Sequence, residues 1–212
     1  MQPPELPMTT TLSEMPLNAL LQATASKSPT PGGGAIAATT GALAAALANM
    51  VVSYSLNRKD LSAHQHPLQQ AQQQLTTTTT HFLTLGDEDA HAYANLNTLQ
   101  RLPPDNPQRA SDLPAAIEHA LNVPRRTLHL SVELATLCAN LTNIPNKHLA
   151  SDLKIAAVLA EAAARASLCN VLVNAPLLTD ETRRASVINE AGKLVAQARA
   201  IAATIENAGQ GQ

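Results

Sequence analysis

Three groups of residues in this 212-residue chain could do chemistry. The first is a carboxylate, Asp89, on an apolar stripe. Leu68, Leu75 and Phe82 recur every seven residues, Asp89 is the next member of that series, and Leu85, Ala92 and Leu96 continue the same side. Such spacing marks one face of a helix. Burying a carboxylate is costly unless it is paired, hydrogen-bonded or protonated, and no lysine or arginine stands at positions 85, 86, 92 or 93 to offset it. A desolvated carboxyl holds its proton to higher pH, which suits a general acid and base near neutrality. On pattern alone Asp89 could equally bond a neighbouring backbone group, and a rotated stripe would turn Asp87 or Glu88 inward instead.

The second group is Pro29-Thr30-Pro31-Gly32-Gly33-Gly34, which opens into a run of small apolar residues from Ala35 to about Leu56. Glycines at a helix start leave outward N–H groups uncovered, and the helix dipole adds positive potential, so an anionic or carbonyl-bearing ligand can approach. A tight turn into a close-packed helix explains the same spacing. No strand pattern precedes it and no Gly-Lys-Ser/Thr follows, so it is neither a dinucleotide fingerprint nor a P-loop. The third group is Asn170 and Asn174, which with Ser167 lie three and four apart on an otherwise apolar side. Their amides could read the edge of a heteroaromatic ring or hold two helices in register. The seven histidines make no metal site: His64 and His66 are two apart in a loop, and no pair has zinc-helix spacing. No serine or cysteine has a nucleophile's setting.

The elements that must position these residues read as about six helices and no strand. Alanine dominates, and the only aromatics are two tyrosines and one phenylalanine, which favours close helix packing through small side chains. A first helix over about Ser13 to Ala25 would bury Leu17, Leu20 and Leu21, with Pro16 in its first turn. In the next, Ala37, Gly41 and Ala45 fall four apart, as do Ala38, Ala42 and Ala46. Such bare faces suit a central helix or a subunit interface. A long helix follows Pro67 and runs to about Leu102, its glutamines and five successive threonines being weak helix formers that tertiary contacts must override. After a proline-rich loop, Ser111 could cap a helix carrying Leu113, Ile117 and Leu121, kinked at Pro124. Ser151 could cap the next, with Asp152 in its first turn, and a last helix from about Thr179 would bury Ile188, Ala191, Val195, Ala198, Ala202 and Ile205.

The whole reads as one all-α domain over residues 1–212, with 1–11 flexible. The formal charge is −2 with scattered basic residues, so there is no footprint for nucleic acid or an anionic membrane. Ile36 to Val52 is short for a bilayer and carries polar residues, which points to a buried core helix. Cys138 and Cys169 fall in apolar helical patterns, as reduced core residues of a cytoplasmic protein would, and the start lacks a signal peptide's regions.

Taken together these segments resemble the formiminotransferase-cyclodeaminase C-terminal domain and the stand-alone methenyltetrahydrofolate cyclohydrolases similar to it. Pro29 to Gly34 with a small-residue helix ending Met50-Val51 resembles the family's opening signature. Asp87-Glu88-Asp89-Ala90-His91-Ala92-Tyr93 resembles its Asp-x-Asp-Ala-x-Ala-Phe segment, and Val123-Pro124 its Val-Pro kink. Ser151-Asp152-Leu153, then Asn170-Val171-x-x-Asn174 closing with Asp180, resembles its last signature. Two departures fall in loops expected near the site: Ser55-Leu56-Asn57 replaces Thr-Ile-Gly, and Pro145-Asn146-Lys147-His148 replaces Gly-Asn-x-Asn.

The resemblance implies an all-helical homodimer that acts on a tetrahydrofolate derivative as substrate, with no metal or other cofactor. By position the family's catalytic aspartate maps to Asp89. Gly32, Gly33 and Gly34 would lie against the pterin or its one-carbon bridge, Asp152, Asn170 and Asn174 would read the pterin edge, and Arg58, Lys59 or Lys147 would meet the glutamate tail. Read as a one-domain chain, it is expected to hydrolyse 5,10-methenyltetrahydrofolate to 10-formyltetrahydrofolate. The alternatives are a cyclodeaminase that closes 5-formiminotetrahydrofolate with loss of ammonia, and a non-catalytic helical binding module.

Overall fold

The computed structural model describes residues 11–208. Its helices are α1 (Leu17–Ala25), α2 (Gly33–Ser53), α3 (Gln65–Arg101), α4 (Pro107–Leu141), α5 (Ala150–Asn174) and α6 (Glu181–Asn207). Short 3₁₀ turns over Lys59–His64, Lys147–Leu149 and Ala175–Leu177 fall between them, and no strand occurs among the described residues. The chain is thus the all-α bundle that its composition favours. The expectation of a flexible start over 1–11 falls, Thr11 apart, outside the described residues.

Bare helix faces let backbones approach closely, and α2 uses this on two sides, against α3 and α5. Ala37, Ala38, Gly41, Ala42, Ala45 and Ala48 of α2 are buried, and α5 brings Ala156, Ala157, Ala160, Ala163 and Ala164. At Gly41 a Cβ would overlap the Phe82 ring of α3, so this glycine is the seat of the core's one phenylalanine. Ala46, placed by its spacing on the buried side, faces outward next to Leu43. By length and composition α2 and the stretch Lys147–Leu177 could each cross a bilayer, but 56% and 39% of their most apolar windows are buried in the bundle. Core helices of helical domains have the same character.

The threonines do not interrupt α3. The hydroxyls of Thr76, Thr79, Thr80 and Thr84 donate to the carbonyls four residues earlier at 2.9, 2.8, 3.3 and 3.1 Å. That geometry satisfies them within the helix, while buried Leu68, Leu75 and Phe82 hold the helix to the core. Two helix starts and one buried face differ from the sequence reading. α4 begins earlier than Ser111, because the Asn106 side chain accepts from the N–H groups of Gln108 and Arg109. Ser151 lies inside α5, whose entry is the 3₁₀ turn capped by Asn146. Leu17 and Leu21 of α1 are 67% and 59% exposed, leaving Leu20 as that helix's buried residue. The final helix starts as expected, capped by Asp180 on the Arg183 N–H at 3.0 Å, with Val187 taking the buried place expected of Ile188.

Candidate active site

The first turn of α2, the middle of α3 and the end of α5 converge, because α3 and α5 both pack on α2 and α5 ends where α2 begins. Asp89 projects from α3 into the place where a side chain at Gly34 would stand, so that a Cβ there would overlap its carboxyl carbon and both oxygens. The Ala35 N–H, one of the unpaired donors of the first turn of α2, stands near enough to favour the ionised carboxyl. Asp89 is half-buried, and this burial raises its pKa above the ordinary aspartate value against the lowering effect of the Ala35 N–H. At the neighbouring Gly33 a Cβ would lie 3.6 Å from Asn170 Oδ1. The three glycines need no left-handed conformation: Gly32 is extended at φ −111°, and what Gly34 supplies is room.

Successive residues of a helix point about 100° apart, and that separates the three carboxylates left open by the sequence. Asp87 Oδ1 accepts the Leu12 N–H at 2.9 Å. Glu88 pairs with Arg126 of α4. Asp89 alone meets the glycines. The contact with Leu12 was not read from the sequence, and its one signal is Gly86, a glycine on the buried side of α3. Cys138 is buried, with its thiol pushed up to about 12 by desolvation, whereas Cys169, expected in the core, is exposed.

The two asparagines divide. Asn170 Nδ2 donates to the Ala166 carbonyl at 3.3 Å, which leaves its oxygen toward Gly33. Asn174 Nδ2 donates to the Ala120 carbonyl at 2.7 Å. That carbonyl lacks a helical partner because Pro124, four residues on, has no N–H. Pro124 is therefore tolerated inside α4 by a side chain from α5. Replacing Asn174 by alanine would leave the buried Ala120 carbonyl without this donor and is expected to destabilise the fold by about 1–3 kcal/mol, measured by urea unfolding.

Arg58, Lys59, Lys147 and Asp152 stand elsewhere. Asp152 is in the first turn of α5 and Asn170 in its last, about 27 Å apart by the rise of the helix. Arg58 and Lys59 follow the far end of α2, whose 21 residues span about 30 Å. There Arg58, His64, Lys147 and His148 border a cavity of about 350 Å³, with Arg58 held by Asp60 at 2.9 Å. The two departing loops, expected near the site, meet at this opposite end: the buried Ser55 Oγ accepts the Asn146 N–H at 2.8 Å. Asn57 adopts φ 60°, a conformation open to glycine and asparagine, which explains how it stands in a glycine's place.

Residues 16–193 match the family model described as formiminotransferase-cyclodeaminase. Formimidoyltransferase-cyclodeaminase of Sus scrofa is 28% identical over 206 residues, which make up 95% of this chain and 38% of that protein. The chain thus spans well under half the length of that relative. Methenyltetrahydrofolate cyclohydrolase of Methylorubrum extorquens is 29% identical over 192 residues, 87% of this chain and 91% of that protein. Among solved structures, formiminotetrahydrofolate cyclodeaminase of Thermotoga maritima superposes with a TM-score of 0.84 at 26% identity, covering 92% of this chain and 95% of that one. The family match runs from the residue before α1 into α6 and takes in Gly34, Asp89 and Asn170, and the chain belongs to the formiminotransferase-cyclodeaminase family.

Proposed function

We propose that this protein is a cytoplasmic folate enzyme that hydrolyses 5,10-methenyltetrahydrofolate to 10-formyltetrahydrofolate, with Asp89 as general base and then general acid. The observation that carries the reading is the Asp89 carboxyl, half-buried in the space that Gly34 leaves at the first turn of α2. In the ionised form it stabilises the cationic methenyl bridge and takes a proton from the water that adds to the bridge carbon. It returns that proton to N5 as the carbon–N5 bond breaks. The remaining hydroxyl proton leaves to solvent as the formyl carbonyl forms on N10. Gly33 and Gly34 admit the bridge close to the carboxyl, and Asn170 faces the pterin.

A second reading, ring closure of 5-formiminotetrahydrofolate with release of ammonia, is favoured by the name of the Thermotoga maritima protein, whose chain this one matches nearly end to end. It asks the same carboxyl to move protons at the same carbon. Both readings extend to a homodimer. α2 and α5 leave Leu43, Ile155, Leu172 and Val173 exposed at 56%, 49%, 43% and 73%, apolar side chains that a second copy would cover. Arg58, Lys59 and Lys147 then serve a glutamate tail only through a second copy, since in one chain they stand a helix length from Asp89.

The test follows the methenyl chromophore. Purified protein is expected to speed its loss from 5,10-methenyltetrahydrofolate. Growth of the chromophore with ammonia from 5-formiminotetrahydrofolate would establish the cyclodeaminase instead, and silence with both would leave the non-catalytic binding module.

A further inference from the structure

Two contacts beside Asp89 play no part in the reaction above. Asp87 Oδ1 accepts the Leu12 N–H at 2.9 Å from a segment 75 positions earlier. The Leu12 side chain fills the space left open by Gly86, where a Cβ would overlap Leu12 Cδ1 and lie 3.4 Å from the Ala38 Cβ and 3.6 Å from the Ala35 oxygen. Glycine inside a helix is unfavourable, and here its place is taken by a leucine from another part of the chain. Gly86 is buried one turn before Asp89, so the two share a side of α3. Ala35 follows Gly34, the residue against which the Asp89 carboxyl sits. The leucine is therefore wedged where the first turn of α2 meets α3, next to the reacting group. Its segment is shaped by a turn in which the Glu14 N–H donates to the Thr11 carbonyl at 3.1 Å.

We propose that Asp87 and Leu12 are positioning residues for the reaction at Asp89: the bond from the Leu12 N–H to Asp87 seats the leucine on Gly86, and the seated leucine keeps the first turn of α2 in register with Asp89 and water out of the gap beside it. This rests on the reading of Asp89 as the catalytic acid and base.

The test uses the full chain with Leu12→Ala, Asp87→Ala, Asp87→Asn and Gly86→Ala, and reads kcat and KM for 5,10-methenyltetrahydrofolate together with hydrogen exchange at the Ala35 amide. Leu12→Ala and Asp87→Ala are each expected to lower kcat about tenfold with little change in KM, and to speed Ala35 exchange. The double variant falls no further than either single one, as residues acting through one contact do. Gly86→Ala unseats the leucine by filling its place and gives the same loss without weakening the helix. Asp87→Asn restores the rate, since its amide oxygen accepts the same bond. Unchanged kcat and exchange in Leu12→Ala and Asp87→Ala would overturn the proposal, as would an Asp87→Asn no better than Asp87→Ala. If the unaltered protein turns over no folate, the functional reading falls, and the exchange data alone decide the wedge.

Discussion

Asp89→Asn is expected to lower turnover by about 10²–10⁴-fold, the usual share of a general acid and base, and at neutral pH to raise the melting temperature. The two effects have one cause. Burial lifts the Asp89 pKa in the folded chain, so the native state binds a proton more tightly than the unfolded chain does. Native Asp89 is therefore not penalised at pH values below the ordinary aspartate pKa. The penalty grows as pH rises through the elevated folded value and is complete above it. Asparagine never ionises, so it escapes that penalty. Thermal melts of the two proteins should diverge at pH 7 and converge near pH 3. An Asp89→Asn protein less stable than its parent at pH 7 would show the carboxylate to be a structural partner. The acid limb of the rate profile should likewise lie above the ordinary aspartate range.

Gly34→Ala is expected to leave the fold intact and to lower turnover by about 10²-fold, the effect of displacing a reacting group by around 1 Å. The added methyl would overlap the Asp89 carboxyl, which is the free end of a flexible side chain. The carboxyl can therefore swing away at small cost in stability but no longer sits where the bridge carbon must be. Gly33→Ala meets nothing nearer than Asn170 Oδ1 at 3.6 Å, and Gly32→Ala nothing nearer than the Pro29 carbonyl at 3.5 Å. Activity and melting temperature measured on all three variants separate two roles for the loop. A loss concentrated at Gly34 marks it as the seat of Asp89. Equal losses at all three would mean that the ligand itself needs the bare backbone.

The stripe from Leu68 to Leu96 was legible because seven-residue spacing survives any error in helix boundaries, and each of its apolar members is buried. The same spacing singled out Asp89 for contact with the core. It could not separate Asp89 from Asp87 and Glu88, because the outcome depends on what each meets: Gly34, Leu12 and Arg126 in turn. Helix caps were less legible. Asn106 and Asn146 take places read for Ser111 and Ser151, since several polar residues crowd each loop and only geometry selects one. Motif order carried no distances. The family-like segments around Ser55, Asn146 and Asp152 share one end of the bundle and those around Gly34, Asp89 and Asn170 the other, as long helices packed side by side require.

The alanine seam between α2 and α5 has an entropic consequence. Alanine surrenders no rotamers on folding, so joining the two helices carries little side-chain disorder to overcome, and it gains correspondingly little apolar burial per residue. A seam without rotamers also has no means of absorbing strain by repacking. It is either closed to full contact or open. Asp89 and Asn170 are set relative to each other through that seam and the seat of Phe82 on Gly41. Their alignment should persist unchanged on warming until the helices part, and catalysis and cooperative melting should then be lost as one event.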